Sequence, residues 1–116
     1  MNKVNVSMQV RPAAKNASII DIEGQVNSFA ENALMDAYTE ASSKGAKAIV
    51  LNFSRLEYMN SSGIGLLVTL LIRVKRQGQR LLACGLTDHY RQIFELTRLN
   101  EAILVYPSEQ EAIAAI

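Results

Sequence analysis

Among its 116 residues the chain has no tryptophan, one histidine, one cysteine and two prolines. Each scarcity removes a class of chemistry. A lone cysteine, Cys84, cannot close an intramolecular disulfide, so the fold must rest on its core. Its setting, Leu81-Leu82-Ala83-Cys84, reads as a buried strand in which the thiol is a small hydrophobe. With His89 the sole histidine, no clustered His/Cys metal site can be assembled, and nothing around His89 suggests a Ser/His/Asp triad. That histidine is expected to lie exposed on a helix near its cap. Aromatic residues make up 6% of the chain and do not interleave with cations, so no nucleic-acid platform is expected. The net charge of +1 is too weak to draw the chain to nucleic acid or an anionic membrane. The most apolar stretch, residues 64–74, is interrupted by Thr69 and Arg73 and is too short to span a bilayer. Residues 1–11 hold no apolar core of signal-peptide length. These absences point to the cytoplasm. They predict a protein with no metal and no cofactor that is not an enzyme.

What is present is a pattern of alternating elements. Apolar residues make up 49% of the chain, and its length suits one domain. Val4, Val6, Met8 and Val10 alternate with polar residues, which predicts a half-buried strand. Pro12 and the polar stretch to Asn16 make a turn. A second strand is expected at 18–23, with Ile20 and Ile22 on one face and Asp21 and Glu23 on the wet face. So short a connection favours an antiparallel hairpin.

Ser28 and Glu31 have capping-box spacing and open a helix. Phe29, Ala33, Leu34, Ala37, Tyr38 and Ala41 form its apolar stripe, and Gly45 ends it. Residues 46–53 read as a central strand. A loop is expected next, then a strongly apolar helix from Asn60-Ser61-Ser62-Gly63 to about Gln77, ended by Gly78. A strand at 80–85 precedes a helix capped by Thr87 and carrying Tyr90, Ile93, Phe94 and Leu96. A short strand at 103–106 stops at Pro107, and Ser108 with Glu111 opens a last helix. Strands alternating with helices imply a largely parallel sheet with right-handed crossovers, made mixed by the initial hairpin.

The segment richest in information is the junction 56–71, LEYMNSSGIGLLVTLL. Two hydroxyls stand where a loop hands over to a helix, and Gly63 and Gly65 come within the next two turns. Glycine inside a helix costs about 1 kcal/mol relative to alanine. What it supplies is close approach by another backbone or a partner. On a helical wheel Ile64, Leu67, Leu71 and Val74, with Leu70 beside them, should face the sheet. Ser62, Gly65, Thr69, Arg73 and Arg76 should face water as a small-residue surface on which a partner could dock. Gly63-x-Gly65 lacks the third glycine of a dinucleotide fingerprint and the lysine of a P-loop. From spacing alone, Ser61 is equally well read as the N-cap of its helix.

At these residues the chain resembles a family. Tyr58-Met59-Asn60-Ser61-Ser62-Gly63-Ile64-Gly65 is similar to the Asp-Ser-Ser/Thr-Gly-Leu-Gly motif of bacterial anti-anti-sigma factors of the STAS family. Gly24-Gln25-Val26-Asn27 falls where that family has a Gly-Glu-Leu-Asp-like turn. Residues 48–53 and 81–85 resemble the strands flanking the motif. The sequence departs from the pattern at Asn60 and Asn27, where the family carries aspartate.

The resemblance implies one STAS domain over residues 1–116. Its α/β fold would be a mixed, mostly parallel sheet of about five strands with about four helices, covered mainly on one face. It also implies a regulatory protein that works by partner switching. A serine kinase that is itself the anti-sigma factor would phosphorylate Ser61, with Ser62 the second choice. The unphosphorylated form would bind that anti-sigma factor, the phosphorylated form would release it, and a PP2C-type phosphatase would reset the cycle. Asn27, Asn60, Ser62, Gly63, Gly65, Thr69 and Arg73 would form the partner-binding surface, and amides near Gly63 and Ile64 would favour the phosphate. Two rival readings stand beside this one. The first is a STAS subunit of a lipid-transport ATPase complex or signalling scaffold without phosphorylation control. The second is a small-molecule-binding or hydrolytic enzyme.

Overall fold

The computed structural model of the protein describes residues 5–116. Val4, with which the first alternation begins, lies outside them. Strands β1 (Val6–Ala13) and β2 (Ala17–Val26) form the expected antiparallel hairpin. Its turn is tighter than Pro12 suggests. Lys15 and Asn16 take positive φ of 62° and 57°, and the Ala17 amide donates to the Ala14 carbonyl at 3.2 Å. Positive φ at both central residues matches a type I′ turn, here within a three-residue connection because Ala13 pairs with Ala17. Pro12 therefore sits inside β1, which is tolerated because β1 is the sheet edge.

Helix α1 (Glu31–Ser43), strand β3 (Ala48–Met59) and helix α2 (Ser61–Arg76) come next along the chain. Strand β4 (Arg80–Cys84), helix α3 (Asp88–Leu96), strand β5 (Leu104–Tyr106) and helix α4 (Glu109–Ala114) complete the order. Short 3₁₀ turns at Ser28–Ala30 and Leu99–Glu101 precede α1 and β5. The sheet runs β1-β2-β3-β4-β5, parallel everywhere except at the β1–β2 pair. β3 is thus central, as its continuous apolar start requires. Gly45 and Gly78 close α1 and α2 with φ of +82° and +68°.

Alternate strand residues face opposite ways and build two cores of unequal size. Ile20, Ile22, Ile49, Leu51, Phe53, Leu81 and Ala83 meet Leu34 and Tyr38 of α1, Leu67 and Leu70 of α2 and Phe94 of α3. On the other face Ala17, Ile19, Ala48, Val50, Leu82 and Cys84 meet Ala112, Ile113 and Ile116, with Ala13 and Tyr106 at the margins. The sheet is therefore covered mainly on one face. Because α4 covers part of the second face, Ala17, Ser18, Ile19 and Ile20 are all buried, and the in–out alternation read for β2 begins only at Asp21.

Two expectations are corrected. β3 does not stop at Phe53 but continues to Met59, paired with β2 up to Val26↔Met59. It outruns β4, which ends opposite Asn52. Leu96, named with Tyr90, Ile93 and Phe94 among the apolar residues of α3, is 84% exposed at the end of that helix.

Asp21 is not simply a wet-face residue either. It accepts two hydrogen bonds from Arg11 at 2.5 and 2.9 Å and one from the Asn52 amide at 2.8 Å. The Arg11 hydrogen bond, reinforced by Asn52 and opposed by partial burial, holds its carboxyl below the usual range. A depressed folded pKa contributes stability that is present above the unfolded value, about 3.9, and lost as pH falls through the lower folded one. The urea midpoint is expected to drop below about pH 4 in the wild type. Asp21→Asn should remove that part of the pH profile, as measured by urea titrations between neutral and acid pH.

Candidate functional site

The parallel strands β2 and β3 end together, and their ends place the site. Val26 pairs with Met59, and the Asn60 amide donates to the Val26 carbonyl at 3.2 Å. Asn27 and Asn60 are therefore the next residues at one end of two adjacent strands. Each serves as an N-cap. Asn27 Oδ1 accepts from the Phe29 amide at 2.9 Å, opening the 3₁₀ turn. Asn60 Oδ1 accepts from the Gly63 amide at 2.9 Å, opening α2. The expected capping box at Ser28 and Glu31 is not formed, because Asn27 caps one residue earlier and α1 begins only at Glu31.

Ser61 and Ser62 are thus the first two residues of α2, not its caps, and both are exposed. The reading of Ser61 as the N-cap does not hold, since the capping oxygen belongs to Asn60. The amides expected to favour an anion are also different. Gly63 N donates to Asn60 Oδ1 and Ile64 N to the Asn60 carbonyl at 3.0 Å. Among the described residues, the amides of this turn without a partner are those of Ser61 and Ser62. A helix N-terminus of this kind favours negative charge. Asn60→Ala should cost about 1 kcal/mol by removing the cap. In thermal melts this is expected as a drop of about 4 °C.

The two glycines have opposite surroundings. Gly63 is buried, and a Cβ built on it would lie 2.3 Å from the Val26 carbonyl oxygen and 2.7 Å from Met59 Cγ. It lets the first turn of α2 rest on the end of β2, so it is not part of an exposed partner surface. Gly65 is exposed, with nothing within 4 Å of such a Cβ. Thr69 and Arg73 are exposed as expected; Thr69 Oγ1 donates to the Gly65 carbonyl at 3.2 Å.

The buried stripe of α2 is Gly63, Leu66, Leu67, Leu70 and Val74, with Ile64 and Leu71 at its margins. That leaves two apolar residues in water. Val68 is 41% and Ile72 49% exposed. With Ser61 and Gly65 they fall at helical spacing on one line, flanked by Ser62, Thr69, Arg73 and Arg76. Phe29, assigned from sequence to the buried stripe of α1, is instead 52% exposed on the 3₁₀ turn, and that turn packs against α2. Val68, Ile72 and Phe29 are exposed apolar residues near Ser61 and Gly65 that the sequence reading did not place at the surface. The wheel carried a signal, because the apolar run through 64–72 is wider than one buried stripe can absorb.

A further residue fixes the junction from beneath. The Met59 amide donates to the Tyr90 hydroxyl at 2.8 Å in a buried contact, tying α3 to the end of β3. Every described buried side-chain polar atom has a partner. The arrangement is a shaped surface with two free hydroxyls at its head, not a cleft with an acid and a base. Among the described residues no helix is long and apolar enough to cross a membrane.

Comparison with known proteins agrees with this fold. The STAS domain profile matches residues 5–112. An anti-sigma-B factor antagonist of Staphylococcus aureus is 26% identical over 86 residues, spanning 74% of this chain and 80% of its own. An anti-sigma factor antagonist from Mycobacterium paratuberculosis superposes with a TM-score of 0.80 at 19% identity, covering 96% of this chain and 93% of its own. The phosphorylated form of the Bacillus cell fate determinant SpoIIAA gives a TM-score of 0.71 at 24% identity, covering 94% and 98%.

Proposed function

Because this chain belongs to the STAS domain family, we propose that it is an anti-sigma factor antagonist whose binding face is switched by phosphorylation of Ser61. The observation that carries this reading is the line Ser61, Gly65, Val68, Ile72 on α2. A modifiable hydroxyl heads an exposed apolar stripe, and on that line only Gly65 stands between the hydroxyl and Val68. In the unphosphorylated state the stripe and Phe29 dock on an anti-sigma factor that is also a serine kinase. Transfer of the ATP γ-phosphoryl group to Ser61 Oγ, whose proton leaves to a base on the kinase, puts about −1.5 to −2 charges at the head of the stripe. A PP2C-type phosphatase hydrolyses the ester and restores the binding form.

Physical chemistry supports a switch here that spares the fold. Ser61 projects into solvent beside two free amides at the positive end of a helix, so a phosphate is tolerated by the domain itself. SpoIIAA matches this chain equally in its unphosphorylated and phosphorylated forms, with TM-scores of 0.72 and 0.71. The phosphate acts on the interface. A charge desolvated against a partner costs several kcal/mol, of the order of the ~5.5 kcal/mol needed to move binding from nearly full to nearly empty.

Titrating the purified chain with the cognate anti-sigma kinase by calorimetry tests the proposal. Saturable binding of the unphosphorylated chain is expected, with the partnered sigma factor released on addition. No binding at tens of micromolar, with transporter permease subunits copurifying instead, would favour a STAS subunit of a transport complex. Ile72→Glu should weaken binding about tenfold or more, since it places a charge within the apolar stripe. Its melting temperature should stay near that of the wild type, because the side chain is half exposed.

A further inference from the structure

Away from the Ser61 end, α4 is an unusual element. It has six residues, too few to be helical on its own, and it is the only helix on the second face among the described residues. Its apolar hold is small, consisting of Ala112 with the partly buried Ile113 and Ile116. Cations from other elements grip it at both ends. Arg11 of β1 donates to Glu109 at 2.7 and 3.4 Å while its two bonds to Asp21 fix the guanidinium against the sheet. Lys15 Nζ lies 3.4 Å from the Ala114 carbonyl and 3.3 Å from that of Ile116, and Arg80 Nη1 lies 3.5 Å from that of Ala115. The shortest of these contacts is the Arg11 bridge.

Behind that bridge lies Cys84. It is 1% exposed, in the strip of sheet that α4 covers, with its sulfur 3.7 Å from Asn52 Oδ1. Burial, helped by the nearby charges of Glu109 and Asp21, pushes its thiol up to about 11. In the closed state the thiol is therefore both covered and protonated.

We propose that α4 is an ionically latched cover: Arg11 holds it shut over Cys84, and local release of this latch, without global unfolding, makes the thiol reactive and bares the apolar strip of β2, β3 and β4. The latch can act this way because it is half exposed. Its closing energy is small, comes largely from charge, and is screened by salt. The remaining core, built by α1, α2 and α3 on the opposite face, does not depend on it.

Cys84 is the only cysteine, so its reaction with an aromatic disulfide reagent, followed by the coloured thiolate released, reports the cover directly. Wild type is expected to react slowly, with a rate that rises with salt and hardly with low urea, the mark of local opening. Arg11→Met should react about five- to tenfold faster and lose the salt dependence. Glu109→Gln should act in the same direction, which keeps the test standing if the first variant folds poorly. Lys44→Met, which breaks a surface pair with Glu40 on α1 across the sheet from α4, should react as wild type. Equal rates for wild type and both latch variants would overturn the proposal. So would a urea dependence as steep as that of global unfolding.

Discussion

Ser61→Asp is expected to lower affinity for the anti-sigma kinase about a hundredfold or more while leaving the domain at least as stable as wild type. The two effects have one origin. A carboxylate at the first position of α2 meets the unpaired amides of Ser61 and Ser62, where negative charge is worth about 0.3–1 kcal/mol to the helix. The same carboxylate heads the stripe of Gly65, Val68 and Ile72, and docking would strip its water. A desolvated, unmatched charge at an interface costs about 2–5 kcal/mol, and each 1.4 kcal/mol is about tenfold in affinity. Ser61→Ala, by contrast, should bind as wild type and take no phosphate. Calorimetric titration beside thermal melts separates the two effects. A variant that lost binding and melted early would mean that Ser61 supports the fold.

Gly63→Ala should destabilise the domain by about 1–3 kcal/mol, the cost of inserting a methyl where there is no room. Gly65→Ala should instead stabilise it by up to about 1 kcal/mol. Both changes improve helix propensity equally, so the difference in sign isolates the surroundings. At Gly63 the added carbon would press on the Val26 carbonyl, a backbone atom that cannot rotate away. To make room, the first turn of α2 must lift from β2, carrying Ser61 and the Asn60 cap with it. At Gly65 the methyl meets only water. Under the proposed docking line, Gly65→Ala should also alter partner affinity, since Gly65 lies between Ser61 and Val68 on it. Urea unfolding of the two variants, side by side, measures the contrast.

The order of elements, the initial hairpin and the central place of β3 were legible because each rests on a strong local signal. Val6, Met8 and Val10 alternate, and the run at 48–51 suits a strand near the centre of the sheet. The end of β3 was not legible. Arg55, Glu57 and Tyr58 face water where β3 outruns β4, so the sequence there reads as a loop although β2 still pairs with it. The start of α1 was misread because Ser28 and Glu31 have the right spacing, while Asn27 is better placed to cap. Phe29 went with that error into the core.

In α2 the apolar run through 64–72 left the wheel degenerate. Of the line expected to face the sheet, Leu67, Leu70 and Val74 are buried, but Gly63 and Leu66 join them and Ile64 and Leu71 move to the margin. That shift of about half a residue leaves Val68 and Ile72 at the surface beside Gly65. Ser61, Ser62, Thr69 and Arg73 were found on the expected side because small and charged residues tolerate either rotation. Asn27 and Asn60 were singled out by resemblance; their caps on the turn and on α2 give both a physical role that needs no charge.

The measurement that bears most directly on the switch is phosphosite mapping. The chain is incubated with its cognate anti-sigma kinase and ATP, digested, and analysed by mass spectrometry. One phosphate on Ser61 is expected, absent from Ser61→Ala and removed by a PP2C-type phosphatase. A phosphate confined to Ser62 or to a residue away from the head of α2, or none on a chain that binds the kinase tightly, would contradict the account.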